Sequence, residues 1–155
     1  MNYLIKRTTA RDTGFQLLVK ELDHELWNEL KEDRATYDQH NVVVDIPTAV
    51  VIYNNEEPVA CGCFKEFDER TVEIKRMFVQ KDHRGKGLSK KILAELEQWA
   101  KEKNYHYSVL ETSIHFATAR NLYATNGYKI IANYGQYADL PESVCMKKEL
   151  FKPAY

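Results

Sequence analysis

The sequence has little cysteine and proline and no long apolar run. Its 155 residues include three cysteines, four prolines and six glycines. No stretch approaches the roughly 20 apolar residues that a membrane helix needs, and the first seven residues lack the hydrophobic core of a signal peptide. We therefore expect a cytoplasmic protein without a membrane partner.

Charge of one sign is also lacking. The chain has 22 basic and 23 acidic side chains, which gives a formal net charge of −1. This balance argues against broad electrostatic binding to nucleic acid or to an anionic membrane. Any effect of charge must therefore be local.

The few cysteines and histidines indicate neither a disulfide framework nor a metal site. Cys61, Cys63 and Cys145 cannot all pair, and the first two would share one face of a strand. Reduced, buried thiols fit this pattern better than a redox or metal role. The five histidines show no His–Glu spacing of a metal site, so no metal is expected.

What is present is the composition of one globular domain. Hydrophobic residues make up 44% of the chain and charged residues 29%, and no repeat or linker divides it. A single core usually serves about 100–200 residues. We expect residues 1–155 to form one domain.

The hydrophobic periodicity predicts the order β-α-β-β-β-α-β-α-β-β. The predicted strands cover residues 3–6, 49–53, 58–67, 71–80, 107–112, 128–131 and 144–150. The predicted helices cover about 12–31, about 88–100 and a segment that ends near Asn126, just before Gly127. This order is typical of an α/β (α+β) protein with a mixed sheet and helices packed on it.

The most informative segment is the predicted turn between the strand that ends near Gln80 and the helix after it. Gly85 and Gly87 would let a ligand approach the backbone, and the amides that open the helix lack internal partners. Nearby basic residues favour an anion such as a pyrophosphate; they are Lys81, Arg84, Lys86, Lys90 and Lys91. Alternatively, the two glycines only shape a turn beneath a solvated basic patch.

The spacing of these glycines excludes two common phosphate-binding loops. The segment that begins at Gly85 lacks the third glycine of a dinucleotide fingerprint. No glycine precedes Gly85 at the distance that a P-loop requires.

The whole segment resembles the GNAT family of acetyl-CoA-dependent N-acetyltransferases. Their motif is Arg or Gln, two residues, Gly, one residue, then Gly or Ala, and Arg84–Ser89 fits it except at Ser89. Residues 73–79 look like the central strand of the family. Leu122-Tyr123 and Gly127-Tyr128 resemble two further signatures, and the resemblance covers nearly the entire chain in order.

This resemblance implies a fold and a cosubstrate. The implied GNAT fold has a central mixed, mostly antiparallel twisted sheet of six to seven strands flanked by helices. Acetyl-CoA would place its pyrophosphate on the turn and its pantetheine arm along the main chain of the preceding strand. The implied cofactor-binding residues are Met77, Phe78, Val79, Arg84, Gly85, Lys86, Gly87, Leu88 and Ser89.

The resemblance also implies two catalytic residues. Tyr123 occupies the position of a tyrosine that protonates the departing thiolate; alternatively it is an ordinary core tyrosine. Glu73 occupies the position of the general base in the histone-acetylating branch. Alternatively it is a strand carboxylate paired with Lys75 or Arg76, and small-molecule members often use a chain of waters instead.

The amine acceptor should be chosen by loops beyond the cofactor site. Tyr134, Gln136 and Tyr137 combine aromatic and polar atoms before the last strand, and Tyr37 lies in a similar segment after the first helix. We predict that these four residues line the amine site, although both segments could also be ordinary surface loops. Carboxylates near them favour a small cationic amine.

Two functional readings follow. The first is an enzyme that transfers acetyl from acetyl-CoA to a primary amine of a small molecule or peptide through a ternary complex. The second is a GNAT-fold binding or regulatory module that has lost the chemistry. The presence of Glu73 and Tyr123 beside an intact basic turn favours the enzyme, and the sequence leaves a homodimer open.

Overall fold

The computed structural model of the protein describes residues 2–29 and 45–151. Within those ranges there are seven strands and three α-helices. The strands are β1 (Tyr3–Thr8), β2 (Ala49–Asn54), β3 (Glu57–Asp68), β4 (Thr71–Val79), β5 (Tyr107–Ser113), β6 (Lys129–Ile131) and β7 (Ser143–Glu149). The helices are α1 (Thr13–Glu29), α2 (Leu88–Glu102) and α3 (Ala117–Thr125), and two short 3₁₀ turns cover Lys81–His83 and Gly135–Tyr137.

All strands belong to one mixed sheet with the order β1-β2-β3-β4-β5-β7-β6. Antiparallel ladders join β1 to β2, β2 to β3, β5 to β7 and β6 to β7, whereas β4 and β5 are parallel. The predicted order of strands and helices is therefore confirmed, and so is the predicted mixed, mostly antiparallel sheet flanked by helices.

The chain divides into two compact units. The first comprises Met1–Phe64 with Lys75–Leu96, and the second comprises Lys65–Ile74 with Glu97–Tyr155. Strands β3 and β4 each contribute residues to both units. The turn that resembles a cofactor site lies in the first unit, whereas Glu73, Tyr123 and Tyr134 lie in the second.

The first unit has an apolar core between α1 and the strands. Its buried members come from α1, from the strands and from the segments next to them; they include Ala10, Phe15, Leu18, Ile46, Ala49, Val51, Cys61, Cys63 and Phe78. All three cysteines of the chain are buried, and none of them forms a disulfide. Burial raises the pKa of the Cys61 thiol, which keeps this thiol protonated and unreactive.

Helix α1 begins where it does because Asp12 caps it. The Asp12 Oδ1 atom accepts a hydrogen bond from the Phe15 amide at 3.0 Å and from the Tyr53 hydroxyl at 2.8 Å. This carboxylate satisfies an amide that has no partner within the helix. The predicted start at residue 12 differs from the observed one by a single residue because the cap itself has no helical conformation.

The second unit is built on β5, β7 and the start of β4. Tyr128 is buried in this unit. Its hydroxyl contacts Ser108 Oγ at 2.8 Å and Glu97 Oε2 at 2.9 Å. Lys148 donates to the other oxygen of Glu97 at 2.7 Å. The predicted Gly127-Tyr128 signature therefore anchors the end of α3 through a satisfied buried polar network.

Candidate active site

The turn before α2 has an open backbone surface. Gly85 and Gly87 have φ angles of 78° and 76°, in the left-handed region that only glycine enters without strain. At both positions a side chain would meet no heavy atom within 4 Å. The backbone conformation therefore requires glycine at both positions, and no atom of residues 2–29 or 45–151 fills the space beside them.

The start of α2 adds unpaired amides to this turn. The first helical hydrogen bond runs from the Lys91 amide to the Gly87 carbonyl at 3.2 Å, so the amides of residues 88–90 precede it. Leu88 is buried and anchors this end of the helix, whereas Lys86 is exposed. Exposed amides, the helix dipole and local positive charge together favour an anion.

Arg84 is bound by protein groups on both sides. Its Nε donates to the Val79 carbonyl at 2.8 Å, and its Nη2 lies 2.9 Å from both carboxylate oxygens of Glu25 on α1. The guanidinium also lies 5.7 Å from the centre of the Phe78 ring. In this structure Arg84 ties the turn to β4 and α1, and its predicted contact with a cofactor stays a prediction.

Strand β4 is distorted next to the residues predicted for the pantetheine arm. Its ladder with β5 runs from the Thr71–Tyr107 pair to the Ile74–Leu110 pair. Two residues later Arg76 has a φ of 60°, which is rare for a residue with a side chain and typical of functional sites. Met77 is half-buried, and Phe78 and Val79 are buried.

Glu73 is a buried carboxylate with two identified side-chain partners. It is 2% exposed. Its Oε2 accepts a hydrogen bond from the Tyr134 hydroxyl at 2.7 Å, and its Oε1 lies 3.7 Å from Lys65 Nζ. The sequence suggested Lys75 or Arg76 as the ion-pair partner. The structure pairs Glu73 with Lys65, which the sequence did not suggest, and pairs Arg76 with Asp23.

Tyr134 is fixed between two other aromatic rings. The rings of Phe67 and Tyr137 meet it edge to face, with centroids 4.9 and 5.7 Å away. Burial, followed by the charge of Glu73, raises the pKa of Tyr134 far above its usual range. Its phenol is therefore a neutral donor to Glu73 at physiological pH.

The other predicted acceptor residues differ in exposure. Gln136 is exposed on the 3₁₀ turn, whereas Tyr137 is buried. Burial, followed by the charge of Glu111, raises the pKa of Tyr137. Tyr37 lies outside the described residues.

Tyr123 lies in the last turn of α3 and is 7% exposed. Its ring meets Tyr128 edge to face at 5.9 Å. Its hydroxyl has no hydrogen-bond partner in the described part of the chain. Burial, with the charge of Glu111 as a second cause, raises its pKa, so the phenol carries its proton at neutral pH.

Sequence reasoning missed Glu111 and Phe67. Glu111 accepts a hydrogen bond from Ser143 Oγ at 2.7 Å. Glu73 on β4 is paired with Val109 on β5, so these two residues share a face of the sheet. Glu111 follows Val109 by two residues and therefore lies on the same face as Glu73. The period-two alternation of the predicted strand 107–112 could have placed Glu111 on this face. It could not have shown that the charge of Glu111 acts on Tyr123 and Tyr137.

The described residues offer neither a metal-binding group nor a membrane-spanning helix. They contain no group of three or more His, Cys, Asp or Glu side chains arranged to bind a metal. None of the helices within residues 2–29 and 45–151 is long and apolar enough to cross a membrane.

Comparison with known proteins agrees with this arrangement. Residues 13–128 match the model of the acetyltransferase (GNAT) family. The uncharacterized N-acetyltransferase YsnE of Bacillus subtilis is 34% identical over 100 residues, which is 63% of this chain and 66% of that protein.

Solved structures extend the likeness to nearly the whole chain. A Klebsiella pneumoniae protein assigned as an acyl-CoA N-acyltransferase is 34% identical, with a TM-score of 0.79 over 96% of this chain and 98% of that one. The Salmonella typhimurium acetyltransferase YncA, solved with its cofactor acetyl-CoA, has a TM-score of 0.71 at 18% identity and covers 100% of this chain and 98% of its own. The chain belongs to the GNAT family of acetyltransferases and is an acyltransferase.

Proposed function

We propose that this protein transfers the acetyl group of acetyl-CoA to a primary amine of a small molecule or peptide by direct attack in a ternary complex. Family membership supports the reaction, and the acetyl-CoA in the Salmonella structure supports the choice of cosubstrate. We further propose that residues 1–155 form one catalytic domain that acts in the cytoplasm and needs no metal.

The observation that carries this proposal is the open turn at Gly85 and Gly87. Their left-handed backbone and empty surroundings leave room for a pyrophosphate against the amides that open α2. Lys86 and the other lysines near this turn supply positive charge that balances the negative charge of the pyrophosphate. In this proposal the pantetheine arm follows the main chain of Met77, Phe78 and Val79.

The chemistry requires a base for the amine and an acid for the thiolate. Glu73 first takes a proton from the ammonium form of the acceptor. The neutral amine nitrogen then attacks the thioester carbon, a C–N bond forms, and the nitrogen loses its second proton to the medium. The C–S bond breaks, and the thiolate takes the proton of the Tyr123 hydroxyl. The products are an acetylated amine and free CoA, and the medium restores the two protonation states.

The acceptor in this proposal is a small cationic amine. Glu73 and Glu111 place two carboxylates on one face of the sheet, which favours a positively charged partner. The proposed lining of the amine site consists of Gln136, Tyr137, the ring of Tyr134 and Tyr37. Aromatic and amide groups of this kind can contact both the alkyl part and the polar part of such a molecule.

Calorimetric titration with acetyl-CoA, followed by a thiol-release assay over a panel of amines, tests this function. The panel contains amino acids, polyamines, aminoglycosides and peptide N-termini. We expect acetyl-CoA to bind and at least one amine to release CoA. Acetyl-CoA binding without turnover on any amine would instead support a binding or regulatory module.

A further inference from the structure

The contact between Tyr134 and Glu73 joins residues that are 61 positions apart. The phenol has one proton, and that proton is directed to Glu73 Oε2 across 2.7 Å. Hydrogen bonds to an ionised, buried acceptor are among the stronger ones in proteins. The polar end of Tyr134 is therefore committed to Glu73.

The position of this hydroxyl is set by ring packing. Phe67 and Tyr137 meet the Tyr134 ring edge to face at interplanar angles of 71° and 81°. Such contacts restrict the ring orientation and with it the direction of the hydroxyl. The donor is thus oriented before any ligand binds.

The second oxygen of Glu73 has a weaker identified partner. Lys65 lies 3.7 Å from Oε1, beyond hydrogen-bond distance, and its side chain is 46% exposed. An exposed lysine is mobile and its attraction is screened by water. Of these two contacts, the one with Tyr134 therefore restricts the orientation of the carboxylate more strongly.

We infer that Tyr134 is a positioning residue for Glu73: its hydroxyl orients the carboxylate that takes the proton from the acceptor amine. This inference rests on the proposed function, in which Glu73 is the base. No proton leaves Tyr134 during the reaction. Its hydroxyl acts on the acceptor through Glu73, whereas Gln136 and Tyr137 remain the proposed direct contacts.

The test uses the full chain with Tyr134→Phe, Glu73→Gln and the double variant. Phenylalanine keeps the ring contacts with Phe67 and Tyr137 and removes only the hydroxyl. The matched control is Tyr105→Phe, because the Tyr105 hydroxyl donates to the exposed Glu66 at 2.6 Å, a tyrosine–glutamate hydrogen bond of the same kind. Thermal melting verifies that each variant is folded.

We expect Tyr134→Phe to lower kcat about tenfold and to change the amine KM by less than about twofold, since only the orientation of the base is lost. Glu73→Gln should lower kcat by about 10²-fold. In the Glu73→Gln background, Tyr134→Phe should not lower kcat further, because the base that its hydroxyl orients is gone. Tyr105→Phe should match the wild type.

Three results would overturn the inference while leaving the proposed function in place. One is a kcat of Tyr134→Phe equal to that of the wild type. Another is an equal decrease in kcat on Tyr134→Phe in the wild-type and Glu73→Gln backgrounds. The third is wild-type kcat in Glu73→Gln, which would remove Glu73 as the base but leave the acetyltransferase function intact. Absence of turnover in the wild type on every amine would contradict the proposed function itself, and the inference with it.

Discussion

Arg84 donates a hydrogen bond from its Nε to the main-chain carbonyl of Val79 at 2.8 Å. The bond joins the start of the cofactor motif to the last residue of β4. It fixes the path of the chain into the glycine turn before any cofactor is present. The motif arginine therefore has a structural role that its position in the sequence does not reveal.

Gly87 is predicted to be necessary for acetyl-CoA binding. Gly87→Val would place a branched side chain on a backbone with a φ of 76° and in the space proposed for the pyrophosphate. The side chain would displace the pyrophosphate, and a strain of about 1–2 kcal/mol would favour a backbone that no longer presents its amides to it. We therefore expect the Kd of acetyl-CoA from calorimetry to rise about tenfold or more.

The matched control is Gly135→Val. Gly135 also has a positive φ, 50°, and also has no heavy atom within 4 Å of an added side chain. This variant should bind acetyl-CoA as the wild type does. Equal loss of affinity in both variants would mean that general destabilisation, and not the turn, sets the affinity.

Tyr123 is predicted to protonate the leaving thiolate. Tyr123→Phe removes the hydroxyl and keeps the edge contact with Tyr128. We expect kcat to fall by about 10²-fold while the Kd of acetyl-CoA stays within about twofold. Steady-state thiol release measures the first value and calorimetry the second. Wild-type kcat would show that solvent supplies the proton.

Gln136 is predicted to contact the acceptor. It is exposed on the 3₁₀ turn, and its side chain also hydrogen-bonds to Tyr137, so thermal melting must first verify that Gln136→Ala is folded. Loss of one hydrogen bond is worth about 0.5–1.5 kcal/mol, which corresponds to roughly a 2- to 12-fold rise in the amine KM. The control is Gln98→Ala on the exposed face of α2, which should leave both KM values unchanged. An unaltered amine KM and an unaltered order of preferred amines in Gln136→Ala would place the acceptor elsewhere.

Asp12 is predicted to stabilise the fold in a pH-dependent way. Burial alone would raise its pKa, but hydrogen bonds from the Phe15 amide, Tyr53, Lys6 and Thr8 outweigh burial and lower it. A carboxylate with a lowered pKa contributes stability above its unfolded value of about 3.9, and that contribution is lost as the pH falls through the folded value.

We therefore expect Asp12→Ala to reduce the free energy of unfolding by about 1 kcal/mol at pH 7, measured by urea denaturation. The difference between variant and wild type should shrink below about pH 4. Asp139→Ala, which removes an exposed carboxylate, is the control for net charge. A difference that stays constant down to the lowest pH would argue against a charged cap.

The fold was largely predictable because its signals are local. Apolar residues at helical spacing on α2 and alternation on the strands depend only on neighbours in the chain. Leu88 and Tyr123 could also be placed from sequence, one at a helix start and one in the last turn of a helix. Their burial follows from the same periodicity.

The connections within the candidate site could not be predicted in this way. The bond from Tyr134 to Glu73 depends on how the segment before β7 packs, and the pairing of Glu73 with Lys65 depends on the neighbouring strand. Strand register and the packing of the connecting segment together bring such residues into contact. The positive φ of Arg76 is equally hidden, because its side chain gives no local signal for a left-handed conformation.

Two-substrate initial-rate kinetics test the central claim, direct transfer of acetyl from acetyl-CoA to an amine, most directly. CoA release is measured over a grid of acetyl-CoA and amine concentrations with the best amine of the panel. Attack within a ternary complex predicts double-reciprocal lines that intersect. Parallel lines, together with acetyl bound covalently to the protein in the absence of amine, would indicate an acyl-enzyme and would contradict the claim.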